Sequence, residues 1–173
     1  MPHALVTPVL DPKVRALCAR PYPGHPHGCP NVGQRDTCPP QARLLQELLD
    51  LDRPVWAVWS SFDLGAHVER MRAAHPGWSD RQLVNCLYWQ GGARKVLRGE
   101  IDTFSRLRPG LLVLKCPEAC GLVVTPTMAS IGVELQWPPR TIAYQVALAG
   151  TSVGGAATRS MHRPGEQLGL MEE

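Results

Sequence analysis

The chain has 173 residues, of which 44% are hydrophobic and 19% are charged, and its formal net charge at pH 7 is +3. This composition suits one compact domain with a core, and the charge is too small to indicate a nucleic-acid partner. No apolar run approaches the roughly 20 residues needed to cross a bilayer, and the N-terminus lacks a secretory signal pattern. We therefore expect a cytoplasmic protein without a membrane partner.

The first 17 residues predict a short extended segment followed by a helical turn around Val14 to Leu17. A loop over residues 18–40 follows, with six prolines, three glycines and three cysteines but few apolar side chains. Such a segment cannot offset the entropy cost of ordering by hydrophobic packing. Thiolates gathered on a metal ion or cluster would order it, so the sequence predicts a metal-binding loop at the N-terminus.

The Pro39-Pro40 pair predicts the start of a helix, because proline is tolerated in a first helical turn. Leucines recur at helical spacing up to Leu51, so one face of this helix is expected to pack inward before Arg53-Pro54 ends it. Residues 55–62 are rich in β-branched and aromatic side chains and predict a buried strand.

Asp63 is a predicted N-cap for a helix over residues 64–74. Ser79 is predicted to cap a second, longer helix with an apolar stripe that faces inward. The stripe consists of Leu83, Val84, Leu87, Val96, Leu97 and Ile101. The Gly91-Gly92 pair falls inside this helix and predicts a kink, at a cost of about 1 kcal/mol per glycine relative to alanine.

Three more strands and one helical turn are predicted in the C-terminal half. The strands lie at residues 111–115, 134–137 and 141–148, and the turn lies at residues 126–131. This order of elements predicts an α/β (or α+β) fold, a single mixed sheet with packed helices and an N-terminal loop that binds a metal or cluster. We expect one domain over residues 1–150 and a flexible tail over residues 151–173.

The six cysteines determine the functional interpretation, since clustered cysteines in a cytosolic chain more often bind metal or act in catalysis than form disulfides. Structural zinc sites typically use cysteine pairs two to four residues apart, and only Cys116 and Cys120 come close to that spacing. Cys29, Cys38 and Cys116 are each followed by proline. A Cys-Pro step also ends ligand runs in iron–sulfur proteins. We therefore expect an iron–sulfur (4Fe–4S) cluster, with zinc as the alternative.

The predicted ligands are Cys18, Cys29 and Cys38 from the loop, with Cys120 or Cys116 as a fourth. If only three thiolates bind a four-iron cluster, the fourth iron stays open and acts as a Lewis acid. It could then hold the sulfur or an oxygen of a small-molecule or nucleobase substrate. The protein would then be an enzyme with lyase- or transferase-type activity, such as the removal of sulfur from that substrate.

Other polar residues have weaker signals. Glu118 lies between two cysteines and is the candidate for acid–base catalysis, because nearby charges would shift its pKa. Cys86 lies among apolar residues and is predicted to fill the core. His25 and His27 are either ligands or solvated loop residues. Three arginines could balance the charge of a cluster or meet an anionic substrate, or could simply be exposed. They are Arg20, Arg35 and Arg43.

Two segments of the chain resemble a known family. The first consists of residues 14–18, Cys29, Asn31-Val32-Gly33 and Cys38-Pro39-Pro40, and the second is residues 118–124, EACGLVV. Both are similar to motifs of an uncharacterised bacterial and archaeal family described as predicted metal-binding proteins. The resemblance implies metal binding and favours Cys120 as the C-terminal ligand. It implies no particular substrate, and the spacing between the first two cysteines is longer here.

Three functional classes remain open at this point. The first is a cluster-dependent enzyme in which an open iron binds a substrate atom. The second is a non-catalytic binding module that zinc or a cluster stabilises. The third is a small electron-transfer protein, which requires complete ligation by four cysteines.

Overall fold

The structure, a computed structural model, describes residues 2–22 and 24–154. Its strands are β1 (His3–Leu5), β2 (Trp56–Asp63), β3 (Leu112–Leu114) and β4 (Ile142–Gly150). Its α-helices are α1 (Leu45–Leu48), α2 (Leu64–Ala74), α3 (Asp80–Leu83), α4 (Gln90–Leu107) and α5 (Val124–Ala129). Three 3-10 helices span Pro12–Ala19, Cys86–Tyr88 and Pro117–Cys120. Most of the predicted C-terminal tail lies outside the described residues.

The four strands form one sheet in the order β1-β2-β4-β3. The central pair runs in register from Trp56 opposite Ala149 to Asp63 opposite Ile142. The predicted fold, a sheet with packed helices, is confirmed. The prediction of a mixed sheet is corrected in one respect, because every pairing among the described strands is antiparallel.

Helices cover both faces of the sheet. On one face, the α4 residues Leu97, Ile101 and Phe104 pack against Ala147 and Ala149 of β4. Because side chains alternate along a strand, the next residues of β4 point to the opposite face. There they meet side chains from α1, from α5 and from the residues just before α5. This second cluster contains Leu45, Leu49, Cys120, Leu122, Met128, Val146 and Leu148.

The middle of the chain begins as predicted. The strand expected at residues 55–62 is β2, and the helix expected at residues 64–74 is α2. The Asp63 carboxylate accepts a 2.7 Å hydrogen bond from the backbone N–H of Ala66, so its N-cap role is confirmed. The cap satisfies one of the donors that a helix start leaves without an intrahelical partner.

The helix predicted to begin at Pro39-Pro40 is wrong in its extent. Only α1 is helical, and Leu44 before it is extended. The Arg15 guanidinium donates hydrogen bonds to the carbonyl oxygens of Pro40 and Ala42, at 2.9 and 2.7 Å. Those are the carbonyls that an earlier helix would use for its own hydrogen bonds, so a tertiary contact delays the helix start.

The long helix predicted from Ser79 is also wrong. It divides into α3, a 3-10 turn and α4, because the Asn85 side chain accepts a 3.0 Å hydrogen bond from the N–H of Leu87 and caps a new turn. Leu87 is 64% exposed and Val96 is 51% exposed, so neither belongs to the inward stripe. Gly91-Gly92 lies in the first turn of α4 rather than in the middle of a helix.

The last predicted elements are partly confirmed. The strands at residues 111–115 and 141–148 form as β3 and β4, and the helical turn forms slightly earlier, as α5. Residues 134–137 do not form the predicted strand. Trp137 is 69% exposed, and its indole N–H donates to Thr125 Oγ1 at 2.9 Å. Among the described residues, no helix has both the length and the apolar character required to cross a membrane.

Candidate metal centre

Residues 9–11 and residues 121–123 meet through backbone hydrogen bonds. The N–H of Asp11 donates to the carbonyl of Gly121 at 2.9 Å, and the N–H of Val123 donates to the carbonyl of Val9 at 2.8 Å. These bonds bring together the 3-10 helices Pro12–Ala19 and Pro117–Cys120, which contact each other. The first contains Cys18 and the second ends at Cys120. Cysteines from distant parts of the sequence are therefore brought to one region.

The next part of the loop folds back onto Cys18. The N–H of Cys29 donates a 2.8 Å hydrogen bond to the Cys18 carbonyl. Gly28 makes this approach possible, because its φ is +81° and a Cβ atom there would lie only 2.7 Å from the carbonyl carbon and oxygen of Ala19. A residue with a side chain could not occupy this position without moving the backbone.

Cys38 is held by a separate set of turns. Its N–H donates to the Arg35 carbonyl, and its carbonyl accepts from the N–H of Ala42, both at 2.9 Å. The N–H of Gly33 donates to the Pro39 carbonyl at 2.8 Å. Backbone hydrogen bonds therefore shape this part of the loop, whereas its ordering by a metal stays a prediction.

The loop thiols lie within electrostatic range of one another. Burial raises the pKa of the half-buried Cys18 thiol above its usual value, and the neighbouring Cys29, Glu118 and Cys38 raise it further. Each of these groups would be an anion when ionised, so each disfavours ionisation of the others. Cys29 and Cys38 are therefore close enough to Cys18 for their charges to act on it, and their role as ligands stays a prediction.

The C-terminal cysteines belong to the same group. Cys116 is exposed at the surface. The atoms packed around its thiol reduce its solvation, and this effect, followed by the charges of Glu118 and Cys38, raises the pKa of Cys116 to about 11. Burial also raises the pKa of Cys120, with Glu118 and Cys38 contributing. Cys38 is therefore a neighbour both of Cys18 and of the C-terminal pair.

Glu118, the predicted acid–base residue, lies within electrostatic range of three of these cysteines. Its side chain is half-buried, and burial raises the pKa of its carboxyl group. Its charge acts on Cys18, Cys116 and Cys120. Its catalytic role remains a prediction.

Two arginines that the sequence interpretation did not single out lie beside the thiols. Arg15 lowers the pKa of Cys18 and Cys120, although burial outweighs this effect at both. Arg94 of α4 has the same effect on Cys116. Arg15 precedes Cys18 by three residues in a 3-10 helix, where such residues share a face, so its position could have been inferred. No local pattern indicates Arg94.

The three arginines predicted to balance the cluster charge are placed differently. Arg20, Arg35 and Arg43 are exposed, and none is among the charges that shift the pKa of Cys18, Cys116 or Cys120. Arg43 instead lies 3.9 Å from the carboxylate of Glu47.

Cys86 and the two histidines also have defined positions. Cys86 is buried with Leu64, Trp89 and other apolar residues, which confirms its predicted place in the core, and it also borders a cleft next to Cys29. The His25 ring lies 4.9 Å from the ring of Tyr22 at the same cleft. His27 is exposed.

All six cysteines are outside disulfides. Within residues 2–22 and 24–154, no three His, Cys, Asp or Glu side chains are arranged around one point as ligands of a single ion. The cysteine thiols nevertheless provide sulfur, and thiolate sulfur is the ligand that iron–sulfur clusters and structural zinc sites use. The raised pKa values of Cys18, Cys116 and Cys120 mean that a metal would displace their thiol protons as it bound.

Comparison of the chain with protein-family models, with curated proteins and with solved structures finds no match. The resemblance to predicted metal-binding proteins therefore depends on the two motif segments alone.

Proposed function

We propose that the protein binds a thiolate-ligated metal centre, and that this centre is an iron–sulfur cluster of the 4Fe–4S type. Cys18, Cys29 and Cys38 are the ligands from the N-terminal loop, and Cys120 or Cys116 is the ligand from the C-terminal segment. The observation that carries the proposal is the contact between the 3-10 helix that contains Cys18 and the 3-10 helix that ends at Cys120, together with the backbone hydrogen bond from Cys29 to Cys18.

The charges that act between these groups support a cation among them. Cys38 and Glu118 act on Cys18, Cys116 and Cys120. Without a cation the thiols stay protonated and gain little from one another. A metal centre converts the same thiols into ligands and adds its binding free energy to the stability of a loop that has little apolar surface.

The number of thiolates that bind decides between an enzyme and a non-catalytic module. If only the three loop thiolates bind, one iron keeps an open position and acts as a Lewis acid toward a substrate sulfur or oxygen. Removal or transfer of sulfur on a small molecule or nucleobase is the reaction type that we propose for this case, whereas ligation by four thiolates suits electron transfer or a structural role. Cys29 borders a cleft, which gives a substrate a path to such a position.

The test is to count iron, acid-labile sulfide and zinc on protein purified without oxygen. We expect about four iron and four sulfide per chain, with a broad absorption near about 400 nm from thiolate-to-iron charge transfer. The Cys38→Ser variant should lose most of the iron. The Cys86→Ala variant is the matched control, because Cys86 is a cysteine outside the proposed ligand set, and it should retain iron.

One zinc ion per chain in a colourless protein would contradict the proposal of an iron–sulfur cluster. The protein would then be a zinc-stabilised binding module. Equal iron loss in both variants would contradict the proposed ligand set.

A further inference from the structure

A cleft of about 230 Å³ lies between the N-terminal loop and the residues that lead into α4. Its lining includes Tyr22, His25 and Asn31 from the loop, and Leu87, Gln90 and Arg94 from the other side. The volume is below the roughly 300–1,000 Å³ of pockets for drug-sized ligands, so the cleft suits a small metabolite.

The two walls of the cleft are held against each other by the backbone of the loop. The N–H of Tyr22 donates to the His25 carbonyl at 3.1 Å, and the N–H of His25 donates to the Tyr22 carbonyl at 2.9 Å. Inside this turn Gly24 has a φ of +92°, and a Cβ atom there would lie 3.0 Å from the Cys86 sulfur. The turn therefore packs directly against the residues before α4, and the shape of the cleft is set by the fold.

The charge of the cleft favours one anionic group. Arg94 is the one lysine or arginine among the described residues that line it, and none of those residues is Asp or Glu. Arg94 makes no salt bridge within the part of the chain that the structure describes. Burial raises the pKa of Tyr22 and of Cys86, and the positive charge of Arg94 opposes the rise at both, so the guanidinium acts on groups inside the cleft. A guanidinium can bind a carboxylate with two parallel hydrogen bonds.

The lining also provides neutral amides and apolar side chains. Asn31 and Gln90 carry amide N–H groups, which can donate to a carboxylate oxygen. Pro30 and Leu87 are the apolar side chains, and Leu87 is 64% exposed. An apolar group bound against Leu87 would remove part of this surface from water, which stabilises a complex.

We propose that this cleft binds a small monocarboxylate with a short apolar body, whose carboxylate pairs with Arg94 and whose apolar body contacts Pro30 and Leu87. One guanidinium balances the single charge of a carboxylate, whereas a phosphate group carries a charge of about −1.5 to −2 at pH 7 and would stay partly unbalanced. None of these three residues is a proposed metal ligand, so the inference goes beyond the proposed function and does not depend on the metal centre.

The test compares three probes on the full chain purified without oxygen: 3-methylbutanoate, its neutral amide 3-methylbutanamide, and inorganic phosphate. The acid and the amide have nearly the same shape and differ in charge. Isothermal titration calorimetry measures the affinities for the wild type, for Arg94→Gln and for Arg98→Gln. Arg98 is the matched control, since it is an exposed arginine one turn along α4 and outside the cleft lining.

We expect the wild type and Arg98→Gln to bind 3-methylbutanoate roughly tenfold or more tightly than the amide, as hydrogen bonds to a charged group provide. Arg94→Gln should lose that preference, and the wild type should bind phosphate more weakly than 3-methylbutanoate. Equal affinities of the wild type for the acid and the amide, or an unchanged preference in Arg94→Gln, would overturn the inference. Phosphate binding as tight as that of 3-methylbutanoate would overturn the assignment to monocarboxylates.

Iron and zinc are counted on each sample, which separates this inference from the proposed function. An Arg94-dependent preference in a protein without metal would support carboxylate recognition and contradict the metal centre. A protein with iron but without the preference would support the centre and overturn the inference.

Discussion

The backbone N–H of Cys29 donates a 2.8 Å hydrogen bond to the carbonyl oxygen of Cys18. This bond closes the first half of the N-terminal loop and holds two proposed ligands next to each other. It depends on Gly28, which has positive φ and lies against the backbone of residues 18 and 19.

Replacing Gly28 by alanine should therefore disturb the centre. A Cβ at this position would lie 2.8 Å from the Cys18 carbonyl oxygen, and the positive φ adds a strain of at least about 1 kcal/mol. Gly33→Ala is the matched control, because Gly33 also has positive φ, +71°, but no atom lies within 4 Å of an added Cβ. Urea unfolding and metal content should show a larger loss for Gly28→Ala. Equal effects would mean that the close approach is unimportant.

Arg15→Met should destabilise the fold by about 1–3 kcal/mol, because it removes charged donors from the carbonyls of Pro40 and Ala42. Arg15→Lys should recover only part of this loss, since an ammonium cannot reproduce the guanidinium geometry. The free energy of unfolding in urea measures both. Arg20→Met is the control at an exposed position and should change stability by less than about 0.5 kcal/mol. Full rescue by lysine would show that charge alone matters.

His67 should make stability depend on pH. Its side chain is 6% exposed, its Nε2 has no hydrogen-bond partner among the described residues, and burial followed by Arg70 lowers its pKa. The folded state therefore binds its proton less tightly than the unfolded state, whose pKa is about 6.5. This contribution to stability is present above pH 6.5 and is lost as pH falls through the lowered folded pKa.

The urea midpoints of the wild type and of His67→Gln, measured between pH 5 and 8, test this expectation. The wild type should lose stability more steeply below about pH 6.5 than the variant. Parallel curves would assign the acid sensitivity to other groups.

Phe104→Ala should cost about 3–5 kcal/mol, since Phe104 is 1% exposed and packs between α4 and the sheet. Leu107→Ala, in the last turn of the same helix, removes a side chain that is 59% exposed and should change stability by less than about 0.5 kcal/mol. Thermal or urea unfolding distinguishes them. A small loss for Phe104→Ala would mean that this face of the sheet is loosely packed.

Capping residues and strand propensity in the sequence predicted the elements that interactions between nearby residues determine. Asp63 begins α2 because its carboxylate reaches an N–H three residues ahead, and β2 follows from its β-branched and aromatic residues. The predictions failed where a distant group intervened. Arg15 occupies the carbonyls of Pro40 and Ala42, and α1 therefore starts only at Leu45.

The sequence by itself determined that apolar packing cannot order the N-terminal loop. It also determined which cysteines could serve as metal ligands there. The tertiary structure alone decided that Cys38 has the C-terminal cysteines as neighbours and that Arg94 faces the cleft. The reason is physical: capping and periodicity act over a few residues, whereas contacts between distant segments depend on how the sheet and its helices pack.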